Sequence, residues 1–368
     1  MSLLENVSAW FWNDYFWLPA GITFKDLEDK PGFRYAKASD LYWMPVYAGI
    51  FICLRYVFEK LIANPLSVKM RIEDKPRNVP ERSKQLEKLY KKSKFPSESV
   101  KEGVAKQLDM NVRQVERWLK RRRNMDRPSL RKKFAEASWR CFFYLVAFTL
   151  GMSILVQAPW FWDNLACWVD YPRQTMWPSV YYYYMVEGGF YLSLLCSVMT
   201  DVKRKDFAEQ LIHHAATIFL IAFSYVANFV RVGTLVMAIH DVSDIILEGA
   251  KCFKYAEMPV ADNLFTLFAV VFIISRLVIY PYCVLHTTWV KSMWLYRPYP
   301  GYYLFNALLM ILQLLHVFWA SIIIKMAVRM LAVGKVEKDA RSDVEEHTDD
   351  DVDVDGAPAN KQNGQLAS

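Results

Sequence analysis

Seven stretches of the chain run apolar for about 20 residues each, the length that crosses about 30 Å of hydrocarbon as an α-helix. They lie at 41–62, 139–158, 180–199, 207–226, 232–252, 261–283 and 302–325. This pattern predicts an all-α polytopic membrane protein with about seven transmembrane helices. Six is the fallback count, because the first run contains Arg55 and Glu59, although both fall near its end, where long charged side chains can snorkel. Between the first two runs the pattern changes. In "DMNVRQVERWLKRRRNMDRP" (109–128) Val112, Val115, Trp118 and Leu119 form an apolar stripe opposite basic residues, which predicts a soluble helix ending at Pro128. The expected organisation is a lumenal segment over 1–40, a first transmembrane helix over 41–62, a small cytosolic helical domain over 67–128, a six-helix membrane domain over 131–332 and a tail over 335–368.

Charge orients these pieces. Residues 63–138 carry a net charge of +12 and residues 1–40 carry −2, so the basic segment is expected in the cytosol and the N-terminus in the lumen. "NVS" at Asn6 is a glycosylation sequon that agrees with a lumenal start. Residues 1–24 lack a basic leader and a continuous apolar core, so the first helix is expected to serve as the anchor, in an internal membrane of the secretory pathway. The six cysteines form no CxxC pair and read as small apolar fillers, with no metal site expected. The tail has a net charge of −6, a composition that stays disordered. Within it, Ser342 and Thr348 precede acidic residues, a pattern that acidophilic kinases favour. The helix at 109–128 resembles the recognition helix of a homeodomain. Trp118 and Leu119 stand in the places of its inward Trp-Phe pair, but Arg121 stands where an adenine-reading Asn is needed. Sequence-specific DNA binding is therefore not expected, and the basic face suits anionic lipid or phosphate at a membrane surface.

Ionisable groups inside spans are costly and mark candidate sites. In "QLIHHAATIFLIAF" Glu209, His213 and Thr217 recur at every fourth position, with Gln210 and His214 on the adjacent stripe. In "AIHDVSDIILEGAK" His240, Asp244 and Glu248 repeat that spacing, with Asp241 one turn from Asp244. A short turn centred between Asn228 and Phe229 joins the two runs. Counted outward at about 1.5 Å per residue, His213 and Asp244 then stand at one height, about 10 Å inside the cytosolic end. Six histidines in the whole chain are too few for a diiron hydroxylase. Adjacent helical histidines diverge by about 100°, a poor basis for a single metal site. A proton-coupled transporter also places His/Asp pairs at depth, and His316 with Gln313 in the last span reads as a merely hydrogen-bonded, structural histidine. Acyl transfer uses all the parts: an imidazole as base or nucleophile, a carboxylate that orients it, and a donor for the oxyanion.

"DVKRKDF", "HH" and then "HDVSD" after the turn, from Asp201 to Asp244, resemble the Lag motif of the ceramide synthases within the TLC-domain superfamily. "RRRNMDRPSLRKKF", "ASWRCFFYLVAF" and "LLQLLHVFW" extend the resemblance to the vertebrate enzymes that carry a homeobox-like segment. The resemblance implies N-acylation of a sphingoid base by a fatty acyl-CoA of long or very long chain in the endoplasmic reticulum, with no cofactor beyond the acyl-CoA cosubstrate. Its partners would be acyl-CoA, sphingoid base, membrane lipids and, as homo- or hetero-dimers, other ceramide synthases. The resemblance carries essential roles onto His213, His214, Asp241 and Asp244. CoA phosphates would meet Lys203, Arg204 and Lys205. Acyl-chain choice would lie in the lumenal stretch Lys291, Ser292, Met293, Trp294, Leu295, Tyr296, Arg297, Pro298, Tyr299 and Pro300 between the last two spans. The C-terminus would be cytosolic.

Overall fold

The computed structural model describes residues 10–73, 77–202 and 206–333. Asn6, Lys203, Arg204, Lys205, Ser342 and Thr348 lie outside these. The described residues are almost wholly helical and contain no β-strand, only an isolated bridge between Lys30 and Phe33. In chain order the main helices are α1 (Trp43–Phe58), α2 (Lys84–Lys92), α3 (Glu98–Gln107), α4 (Val112–Asp126), α5 (Leu130–Leu155), α6 (Pro178–Ser197), α7 (Phe207–Val226), α8 (Val230–Tyr255), α9 (Val260–Ile273) and α10 (Pro300–Val333). They fall into two compact units, one of residues 77–128 and one of the remainder.

The larger unit has a helix at each of the seven expected places. Four of them, α5, α7, α9 with its continuation to Trp294, and α10, are long and apolar enough to cross a membrane. The helices α1, α6 and α8 fall short of that mark on length or apolarity; α8 is the one that carries His240, Asp241, Asp244 and Glu248. Local chemistry sets the boundaries. Pro128 ends the preceding segment, and the Ser129 hydroxyl accepts from Lys132 N at 3.1 Å to cap α5. Between α7 and α8 the chain reverses through Asn228 at φ +55°, a backbone conformation that Asn tolerates. The Asn228 side chain donates to the carbonyls of Pro172 at 2.6 Å and Gln174 at 2.8 Å, which pins the turn.

Helix α6 packs along α1, and α8 packs along α5 and α9. A Cβ on Gly189 would overlap the Tyr47 side chain, so this glycine permits the α1–α6 approach. Phe143 and Phe190 stack at 3.4 Å in the core behind that contact. Snorkelling had been the expectation for Arg55; it points inward instead, 16% exposed, and forks onto Asp201 at 2.8 and 3.2 Å while donating to Glu59 at 2.7 Å. The ionisable pair that weakened the first span in sequence is thus held by a partner 146 positions away. Three charge-assisted bonds offset much of the desolvation of the guanidinium.

The smaller unit is a three-helix bundle of α2, α3 and α4. Val115, Trp118 and Leu119 pack against Leu86, Leu89 and Tyr90, so the predicted stripe is the core. Trp118 donates its indole N–H to the Glu81 carbonyl at 2.6 Å. On the polar side Arg122 forks onto Glu87 at 2.9 and 3.1 Å, and this guanidinium holds the Glu87 carboxyl below the usual carboxylate range.

Candidate active site

The two runs that the sequence singles out become α7 and α8, but they do not pair face to face. Helix α7 packs mainly on α6 and α10, and α8 on α5 and α9. The equal height expected for His213 and Asp244 therefore does not become a contact. The His213 ring lies 6.3 Å from that of His240, 5.7 Å from His214, 5.4 Å from Trp319 and 6.5 Å from Tyr191, measured between centroids. Trp319 also donates to Asp206 at 3.1 Å, which ties the ring beside His213 to the residue preceding α7.

Asp244 is met by Arg276, a residue the sequence reading passed over. Arg276 sits where α9 loosens into a π-helical turn, Ile274–Ile279, a departure often found at functional sites. It is 3% exposed, and its Nη2 donates to Asp244 Oδ1 at 3.2 Å, Ser243 Oγ at 2.8 Å and the His240 carbonyl at 2.9 Å. His240 is fixed by its own contacts. Its Nδ1 lies 2.6 Å from the Val236 carbonyl and must donate there, so Nε2 is the acceptor, 3.0 Å from Nε2 of His316. His316, expected as a hydrogen-bonded pair with Gln313, contacts it at 3.5 Å. Both ring nitrogens of His240 are thereby occupied. His213 differs, because its buried Nδ1 has no hydrogen-bond partner.

Asp241 is fully buried, and neither of its oxygens has a hydrogen-bond partner. It faces Glu187 of α6, which is equally buried and equally without a partner. Glu187 was also missed in sequence. Glu248, the third member of the α8 stripe, turns to a cationic cluster, with Lys251 at 2.6 Å and Arg140 at 3.4 Å. Arg140 also approaches Asp201 at 3.7 Å. One face of α8 thus presents three acidic or imidazole groups to three different partners. Among the described residues no three His, Cys, Asp or Glu side chains group as ligands for one ion.

A narrow apolar cavity of about 70 Å³ opens beside this cluster. Tyr191, Thr217 and His240 line one end, and Trp168, Thr288 and Tyr302 the other. From His240 to Phe229, which also lines it, α8 rises about 16 Å. The far end is floored by aromatic residues that meet the 291–300 stretch. Tyr296 packs on Trp168 at 5.7 Å and on Tyr171 at 5.1 Å, and the Tyr299 hydroxyl bonds that of Tyr171 at 2.7 Å. Met293, Trp294 and Leu295 face outward. Tyr296 and Tyr299 therefore form the half of the stretch that reaches the cavity floor.

Residues 133–325 match the family model of the TLC domain, and residues 75–127 that of the homeodomain. The chain is 44% identical to human ceramide synthase 4 over 94% of its own length and 88% of that protein. It is 44% identical to human ceramide synthase 5 over 95% of its length and 90% of that protein. Human ceramide synthase 3 is also 44% identical, over 92% of this chain and 88% of that protein.

Proposed function

The chain belongs to the ceramide synthases of the TLC-domain family, and from that membership we propose that it transfers a long or very long fatty acyl group from acyl-CoA to the amine of a sphingoid base, as a sphingosine N-acyltransferase of the endoplasmic reticulum. The observation that supports this reading best is a His213 ring with an unpartnered Nδ1 beside a narrow cavity whose apolar lining runs about 16 Å along α8, the kind of wall an acyl chain needs. An amide forms when the amine nitrogen attacks the thioester carbon and the CoA thiol leaves. His213 lends its lone pair either to the amine proton or to the thioester carbon itself. Asp244, held by Arg276, and Asp241 supply the negative field that stabilises an imidazolium nearby. Rapid quenching with labelled acyl-CoA in the absence of sphingoid base separates the two routes. A mass shift on the peptide containing His213 means an acyl-imidazole, and an unmodified peptide means base catalysis.

In this reading seven helices cross the membrane with the N-terminus lumenal and the C-terminus cytosolic, and the site opens to the cytosol near the start of α7. Lys203, Arg204 and Lys205 then meet the CoA phosphates. Reversing all three charges is expected to raise KM for acyl-CoA about tenfold or more while leaving KM for the sphingoid base within about twofold. An unchanged KM would leave those residues with a role in topology only.

The test of the activity is product analysis by mass spectrometry. Membranes from cells stripped of their own ceramide synthases, supplied with labelled sphinganine and acyl-CoAs of graded length, should yield labelled dihydroceramide. Absence of product, with accumulation of substrate on one side of sealed vesicles, would favour the competing reading of a proton-coupled transporter. Exchanging residues 291–300 for the same stretch of a relative with another preference should move the chain-length profile. A static profile would place selectivity in the cavity walls of α7, α8 and α10.

A further inference from the structure

Glu187 has no role in the chemistry assigned above to His213, and its partner Asp241 enters that chemistry only through its charge. Both side chains have no exposed surface, and none of their four oxygens has a hydrogen-bond partner. The two groups lie within hydrogen-bond reach of each other, yet as carboxylates neither can donate. Two like charges in a low-dielectric interior repel strongly, so a proton or a cation has to sit between them. Arg276 does not serve, because it makes no hydrogen bond to either carboxyl: its Nη2 goes to Asp244, Ser243 and the His240 carbonyl, its Nη1 lies 3.3 Å from His316 Nε2, and its Nε has no partner. A third polar atom is also left without a partner here: Tyr183 flanks the pair, and its hydroxyl is buried with no hydrogen bond. Buried polar groups are nearly always satisfied, and a cluster of exceptions calls for a missing partner.

Resting on the acylation reading, we propose that Glu187 and Asp241 bind the protonated amine of the sphingoid base. A primary ammonium offers three N–H donors, and the pair with the Tyr183 hydroxyl offers acceptors to meet them. The ammonium charge cancels the repulsion that the empty pair suffers. Position fits the chemistry. Tyr191 lies one turn after Glu187 on α6, about 6 Å along the helix, and its ring is 6.5 Å from that of His213 and 5.9 Å from that of His214. Tyr191 also lines the apolar cavity. An amine held between Glu187 and Asp241 therefore stands about one helical turn from Tyr191, whose ring neighbours both imidazoles and lines the acyl cavity.

The experiment uses the purified full chain in lipid nanodiscs and compares two probes, sphinganine and an octadecanediol of the same chain length without the amine. The wild type should bind sphinganine about tenfold or more tightly than the diol, the advantage expected of a charge-assisted hydrogen bond. In E187Q that ratio should fall to near one, KM for sphinganine should rise about tenfold or more, and KM for acyl-CoA should stay within about twofold. E187D, which keeps the charge, should restore most of the ratio, an outcome that a packing role for Glu187 does not give. Should E187Q fail to fold, E187D and D241N report the same ratio, with discrimination kept in the first and lost in the second. An E187Q ratio equal to that of the wild type, or a fall in kcat with both KM values fixed, would overturn the proposal. Because the binding comparison needs no turnover, it stands apart from the product assay: a wild type that makes no amide defeats the acylation reading alone.

Discussion

Replacing His213 with alanine is expected to lower kcat/KM for N-acylation by on the order of 10³-fold, at equal expression and with the fold intact. The size follows from the absence of a substitute. His240 has its Nδ1 committed to the Val236 carbonyl and its Nε2 to His316, so neither nitrogen can take over the lone-pair role. His214 is 5.7 Å away ring to ring and is displaced by about 100° around the helix axis, so it cannot occupy the place of the His213 ring without moving the helix. His213→Asn, which keeps a polar planar group in the same space, should lose as much, and that comparison separates chemistry from packing against Trp319 and Tyr191. The measurement is labelled dihydroceramide formed from labelled sphinganine by membranes of cells without their own ceramide synthases. Retention of more than about a tenth of the activity by either variant would move the reacting imidazole away from His213.

The helices were legible in the sequence because hydrocarbon leaves few options. A spanning backbone must satisfy its hydrogen bonds within itself, so apolar length alone announces a helix. The ends of α7 and α8 around Asn228 and the inward stripe of Val115, Trp118 and Leu119 were readable for similarly local reasons, a residue that tolerates the left-handed region and a 3.6-residue period. His213, His214, Asp241 and Asp244 stood out because charge inside a span is conspicuous. Their partners did not. Glu187 sits in "YYYYMVEGGFY" with no neighbour in sequence to mark it, and Arg276 is a lone cation in an apolar run. Each acquires meaning only from packing between helices, α6 against α8 for one and the widened turn after α9 against α8 for the other. The His213–Asp244 pairing failed because equal height along two helices says nothing of the angle at which they face. The neighbours that α7 chooses, α6 and α10, are set by side-chain shape over the whole length.

That non-local cation sets the second large effect. Arg276→Met should destabilise the membrane unit by about 3–5 kcal/mol, the range for removing one partner of a buried ion pair and leaving the other uncompensated. Arg276 is 3% exposed and the Asp244 side chain 23%, so solvent screens the remaining carboxylate only slightly. The same substitution also strips a donor from the His240 carbonyl and from Ser243. Arg276→Lys should recover little, since an ammonium on a flexible stem cannot meet Asp244, Ser243 and the carbonyl in the geometry of the planar guanidinium. Adding Asp244→Asn to Arg276→Met removes the stranded charge and should return most of the lost stability. It should not return activity, because the negative field beside the imidazoles goes with the carboxylate. Denaturant unfolding of the purified chain in detergent measures the first quantity and dihydroceramide formation the second. Recovery of both in the double variant would mean that Arg276 and Asp244 only hold α8 to α9. Recovery of stability alone would mean that the pair, assembled from two helices by one widened turn, holds the charge that the reaction uses.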